Sequence, residues 1–123
     1  MRQVTFSLTV LIAIFASFAF LYGAEHFGIQ VYGGARLDTE ETNLLRKTAG
    51  ADGYFYRTGD SVNKVIAFYQ KHPGVTSMGS DETGGMFLKE ENGHTVYIKV
   101  ASPWQPAKGG EMKKDTIISI IKE

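Results

Sequence analysis

The stretch YFYRTGDSVNKVIAFYQKHPG, Tyr54 to Gly74, contains a change of period that decides the fold. Tyr54–Thr58 is rich in aromatic residues and predicts a strand. Asp60 or Ser61 then offers a side-chain oxygen to the free amides of a helix's first turn. Val62, Val65, Ile66 and Tyr69 follow at i, i+3, i+4 and i+7, one apolar stripe that Phe68 widens. His72-Pro73-Gly74 stops the helix: proline disfavours helical geometry in the residue before it, and glycine tolerates a left-handed turn. A strand feeding an amphipathic helix needs a sheet for that helix to cover.

The sheet is written downstream, where the period becomes two. Val75–Met78 reads as a short strand and Asp81–Gly85 as a turn. Met86–Glu91 and His94–Ala101 flank Asn92-Gly93, a two-residue hairpin signal, because both residues accept positive φ. That turn sets Glu91 opposite His94, Lys89 opposite Val96, Phe87 opposite Ile98 and Gly85 opposite Val100. Phe87, Val96, Ile98 and Val100 then form a core face, while Met86, Leu88, Glu90, Thr95, Tyr97 and Lys99 form a mixed one. Residues 102–114 are a long excursion, and Asp115–Lys122 is an isoleucine-rich last strand. Upstream, Ile29–Tyr32 alternates as a short strand would, and Asp38 or Thr39 caps a helix over Glu40–Lys47.

The expected fold class is α+β: an N-terminal transmembrane or signal helix, then a small two-layer domain with one main helix on a mostly antiparallel sheet of three to five strands. Residues 1–25 form the signal or anchor, 26–53 a connecting segment, and 54–123 the core of the exported domain.

The N-terminus carries Arg2 and then no charge until Glu25. Val4–Ala24, as a helix, is about 30 Å long and matches a hydrocarbon core. Arg2 on one side and Glu25 on the other orient it with the N-terminus cytoplasmic and the domain outside. A cleaved signal has a shorter apolar region and a small-x-small site. Ser17-Phe18-Ala19 would cut inside the run, and cleavage after Ala24 puts Tyr22 where a small residue is preferred. The length favours a retained anchor, and a cleaved periplasmic chain is the alternative.

Composition narrows the chemistry. Thirteen basic residues balance 13 acidic ones, which speaks against a nucleic-acid partner. With no cysteine, the chain has no disulfide, thiolate metal site, covalent c-type haem, cysteine nucleophile or lipoprotein anchor. His26, His72 and His94 show no metal-ligand spacing, so no metal or cofactor is expected. His26 should be solvated, and His94 should pair with Glu91 across the hairpin. Asp81-Glu82 and Glu90-Glu91 read as solvated turn acids, and the Gly33-Gly34 and Gly109-Gly110 stretches as ordinary turns.

Several motifs resemble a loose group of uncharacterised exported bacterial proteins. VYGGAR (31–36) stands where that group has a YPGA box, with Gly33 in place of proline. YRTGDSVNKVIAFYQKHPG (56–74) matches its Y-x-T-x-D-S-x-x-x-V-x-x-F-Y pattern. GHTVYIKVASPW (93–104) and KKDTIISIIKE (113–123) complete the likeness, the latter holding a T-x-I-x-I strand. The resemblance implies an exported α+β domain and brings no catalytic residue.

The functional expectation is a non-enzymatic, membrane-anchored domain outside the inner membrane, an accessory subunit or interaction module with a protein partner or a second copy of itself. The candidate surface comprises Trp104, the only tryptophan, with Tyr97, Met86 and Leu88, joined by Tyr54 and Tyr56 if they share the second sheet face. Alternatives are a soluble periplasmic binder of a small apolar or anionic ligand beside Trp104, and a hydrolase using Asp81, Glu90 or His94. For Trp104 the bland reading is that it folds back over the core.

Overall fold

In the computed structural model, residues 24–123 are described. The β-hairpin of β6 (Gly84–Glu91) and β7 (His94–Ala101) turns on Asn92 and Gly93 at φ 49° and 81°. Its register is the expected one, from Glu91 opposite His94 to Gly85 opposite Val100. The remaining elements are β1 (Glu25–His26), β2 (Ile29–Gln30), β3 (Arg36–Leu37), α1 (Thr39–Ala49), β4 (Asp52–Thr58), α2 (Val62–Gln70), β5 (Thr76–Asp81) and β8 (Thr116–Lys122).

The domain is α+β, with a six-stranded antiparallel sheet in the order β3-β4-β8-β7-β6-β5 and a separate two-stranded β1–β2 hairpin. The expectation of three to five strands is corrected to six, with a further two-stranded hairpin, and the second helix is as substantial as the main one. The two-residue β3 is an added strand, too short to show a period, while α1 is the helix expected over Glu40–Lys47, longer than expected at 11 residues. Alternating antiparallel neighbours leave β4 and the edge strand β5 pointing the same way with three strands between them, so their connection must cross a face. Helix α2 makes that crossing.

Its stripe explains the packing. Val62, Val65, Ile66 and Tyr69 are buried against Phe87, Val96, Ile98, Val100, Ile118 and Ile120. Gly85 permits the close approach: a Cβ there would lie 2.6 Å from Ile66 Cδ1. Ser61 is the N-cap, accepting from the Lys64 amide, while Asp60 instead accepts from the Tyr32 hydroxyl at 2.6 Å.

Residues 26–53 join the same core. Ile29 and Val31 are buried in it. The segment hangs on the end of α2: the Tyr69 hydroxyl donates to the Gln30 carbonyl (2.9 Å) and accepts from the Tyr32 amide (3.2 Å). His72 Nε2 accepts from the Gln30 amide at 3.0 Å, which leaves Nδ1 protonated toward the Pro73 carbonyl. Helix α1, capped by Asp38, covers the edge of β4, where the Phe55 amide donates to Thr42 Oγ1 and the Phe55 carbonyl accepts from the Asp38 amide. This closes an otherwise open strand edge.

No helix among the described residues is long and apolar enough to cross a membrane. The candidate span, Val4–Ala24, lies outside the described residues except for Ala24.

Tyr69→Phe tests the attachment of the N-terminal segment. It leaves a buried carbonyl and amide without their shared partner, so urea unfolding should show a loss of about 1–3 kcal/mol. A loss within about 0.5 kcal/mol, the range of an inert surface change, would mean that water replaces the hydroxyl freely.

Candidate functional site

Strand pairing sorts the candidate surface into two faces. Leu88 and Tyr97 are register partners, Met86 pairs with Lys99, and Tyr97 pairs with Ile121. These residues share the sheet face opposite α2. Met86 is 38% exposed, and Leu88 and Tyr97 are half-buried. Helix α1 reaches this face only at its β4 end, where Leu45 meets Ile121 over Gly53.

Tyr54 and Tyr56 lie elsewhere. They pair with Ile120 and Ile118, which places them on the α2 face. Tyr56 is buried, and its hydroxyl lies 2.7 Å from His26 Nε2. Tyr54 stacks on the His26 ring at 3.6 Å and has the Arg46 guanidinium 4.8 Å from its centroid. His26 is therefore half-buried in an aromatic contact rather than solvated. Burial, then the Arg46 charge, lowers its pKa, with Asp52 opposing.

Trp104 is 7% exposed, having folded back over the sheet. Its Nε1 donates to Asp115 Oδ1 at 3.1 Å, and the Arg57 guanidinium lies 5.1 Å from its ring. Arg57 Nε also donates to Asp115 Oδ2 at 2.7 Å, with Asp38 Oδ2 at 3.5 Å from the same guanidinium. Burial pushes the Asp115 carboxyl up, but the hydrogen bonds from Arg57 and Trp104 outweigh it and hold the group below the usual range. This cluster ties the 102–115 excursion to β4 and to the start of α1.

Beneath that excursion lies a groove of about 400 Å³, walled by Phe55, Trp104, Met112 and Ile117, with Lys99 and Glu41 among its polar lining. Glu41 is only 7% exposed, and its carboxylate accepts from the Ala107 amide at 3.1 and 3.3 Å. Sequence reasoning missed it. Asp38-x-x-Glu41 has the spacing of a capping box, in which Glu41 would reach back to the Asp38 amide. That amide is already donated to Phe55, so Glu41 turns to the loop instead.

A larger cleft, about 750 Å³, lies between Phe68, His72, Pro73, Gln30 and Lys89. Two of its polar groups are spent on the fold. His72 holds Gln30, and Lys89 Nζ donates to the Gly28 carbonyl and lies 3.0 Å from Glu91 Oε2. That Glu91 oxygen is buried, and the lysine approaches it too obliquely for a hydrogen bond, so the contact is an ion pair alone. Glu91 thus turns to Lys89 rather than to His94, which is exposed.

Asp81, Glu90 and His94 are not brought together. Asp81, the last residue of β5, pairs with Gly84 at the start of β6, and Glu90 and His94 lie at the far end of the β6–β7 hairpin, roughly 20 Å away at the rise of an extended strand. Asp81 Oδ1 is occupied by the Thr83 amide and hydroxyl and the Gly84 amide, which hold its carboxyl below the usual range. Among the described residues no group of three or more His, Asp or Glu could hold a metal ion.

Comparison with known protein families, curated proteins and solved structures finds no match to this chain.

The His26 contact carries a pH signature. A lowered folded-state pKa means that the unfolded chain binds the proton more readily, so stability present above about pH 6.5 is lost as pH falls below it. The urea midpoint should drop between pH 7.5 and 5.5, above the range where Asp115 titrates. His26→Gln should flatten part of that slope. An unchanged slope would show that His26 keeps its ordinary titration.

Proposed function

We propose that this chain is a non-enzymatic interaction module, anchored in the inner membrane by residues 4–24, with its α+β domain in the periplasm. The observation that carries the reading is the incompletely covered second sheet face. Met86, Leu88 and Tyr97 form a contiguous apolar strip over β6 and β7, left half-open by α1 and by the Trp104 loop. Among the described residues the first element, β1, follows directly on the apolar stretch of the sequence, so a retained span would hold the domain close to the bilayer without a linker. A membrane-protein partner in the same bilayer is the occupant this arrangement favours. The contact surface is Met86, Leu88 and Tyr97. Trp104 is buried beside the separate groove, and Tyr54 and Tyr56 belong to the opposite face.

A soluble periplasmic ligand binder, freed by cleavage, is the second reading. It draws on the groove beside Trp104.

Photo-crosslinking in intact cells separates the two. A benzophenone side chain at position 97 should give one discrete adduct with a membrane protein, and one at exposed position 63 on α2 should give none. The adduct at 97 should vanish with Met86→Glu, while the urea midpoint stays within the range of a surface change. Equal labelling from both positions, or recovery of the chain in the periplasmic fraction without its first residues, would overturn the proposal.

A further inference from the structure

We infer that the groove beside Trp104 binds a small organic ammonium with an apolar or aromatic body, and that Glu41 is the residue that recognises it. The starting point is an imbalance of charge. Glu41 is more than nine-tenths buried, yet among the described residues no Lys, Arg or His nitrogen forms a salt bridge with it. Its neighbour Glu40 takes Lys108, at 2.7 Å, on the solvent side of the same helix turn. The two bonds to Glu41 come from one amide, that of Ala107, and so leave most of its lone pairs free. The N-terminal end of α1 offsets part of the charge. Lys108, held by Glu40, acts on Glu41 only through space. A buried carboxylate with no cation in contact is a costly arrangement, and an ammonium completes it.

The walls fit the rest of such a ligand. Phe55, Trp104, Met112 and Ile117 supply apolar and aromatic surface around the acid. A cation beside aromatic faces gains further from the ring quadrupole. Arg57 shows this on Trp104 already, from the side of Asp115. Lys99 also lines the groove, but it is exposed, where water and salt screen its charge more than they screen a buried one. The sign of the site is therefore set by Glu41. This replaces the expectation of an apolar or anionic ligand with a cationic one. The site depends neither on the membrane anchor nor on what covers Tyr97, so its failure and that of the interaction module are separate results.

Trp104 is the only tryptophan, so intrinsic fluorescence reports from the groove itself. The full chain, in a nonionic detergent, is titrated with benzylammonium, with benzyl alcohol as the neutral match and phenylacetate as the anionic one. Benzylammonium should give a saturable change and bind at least tenfold more tightly than either match. Glu41→Gln should remove that preference and leave benzyl alcohol unaffected. Met112 is 52% exposed, so Met112→Lys can place a cation at the groove without disturbing the core, and it should block benzylammonium even if Glu41→Gln fails to fold. Tighter binding of phenylacetate, an undiminished preference in folded Glu41→Gln or in Met112→Lys, or no saturable response to benzylammonium would each overturn the inference.

Discussion

The Tyr69 hydroxyl is buried at the end of α2 and joins two parts of the chain 37 and 39 residues apart by donating to Gln30 and accepting from Tyr32. Burial pushes its pKa upward, so it stays a neutral phenol that can donate and accept at once. Through it the helix stripe and the N-terminal segment close over one sheet face together. Ile29 and Val31 become core residues only because this bond, with His72 beside it, fixes the segment that carries them. The Tyr32 hydroxyl then returns to Asp60 at the other end of the helix. Most of the motif from Tyr56 to Gly74 is thus explained by the geometry of the joint.

How much of this was legible in the sequence depended on distance along the chain. The β6–β7 register followed from Asn92-Gly93, because a two-residue turn leaves one choice of partners. The α2 stripe followed from spacing alone, and the two caps resolved to Asp38 and Ser61 within pairs already named. The insertion of β8 between β4 and β7 was not legible, because nothing local selects which edge a last strand joins. The same gap left Tyr54 and Tyr56 unassigned: their face is fixed by pairing with Ile120 and Ile118, more than 60 residues away. Glu41 was hidden for a related reason, since its partner, Ala107, is 66 residues distant.

The two faces have different characters. One is sealed by α2 and the Ile29–Val31 segment. The other carries the Arg57–Asp115 pair beside Trp104, the groove with Glu41, and the Met86–Leu88–Tyr97 strip. Lys99 lines the groove and pairs with Met86 of the strip across β7 and β6.

The position of β8 has a consequence for how the domain comes into being. It is the last strand in the sequence and an interior one in the sheet, bonded to β4 on one side and β7 on the other. Before it docks, β3–β4 and β5–β6–β7 are separate fragments, each with a bare inner edge; Tyr54 has no partner across from it and Tyr56 has only Leu37 of β3. Assembly is consequently a late, long-range event, of the kind that slows folding. A ribosome-bound chain lacking its final segment would present two unfinished sheets to whatever chaperone receives it.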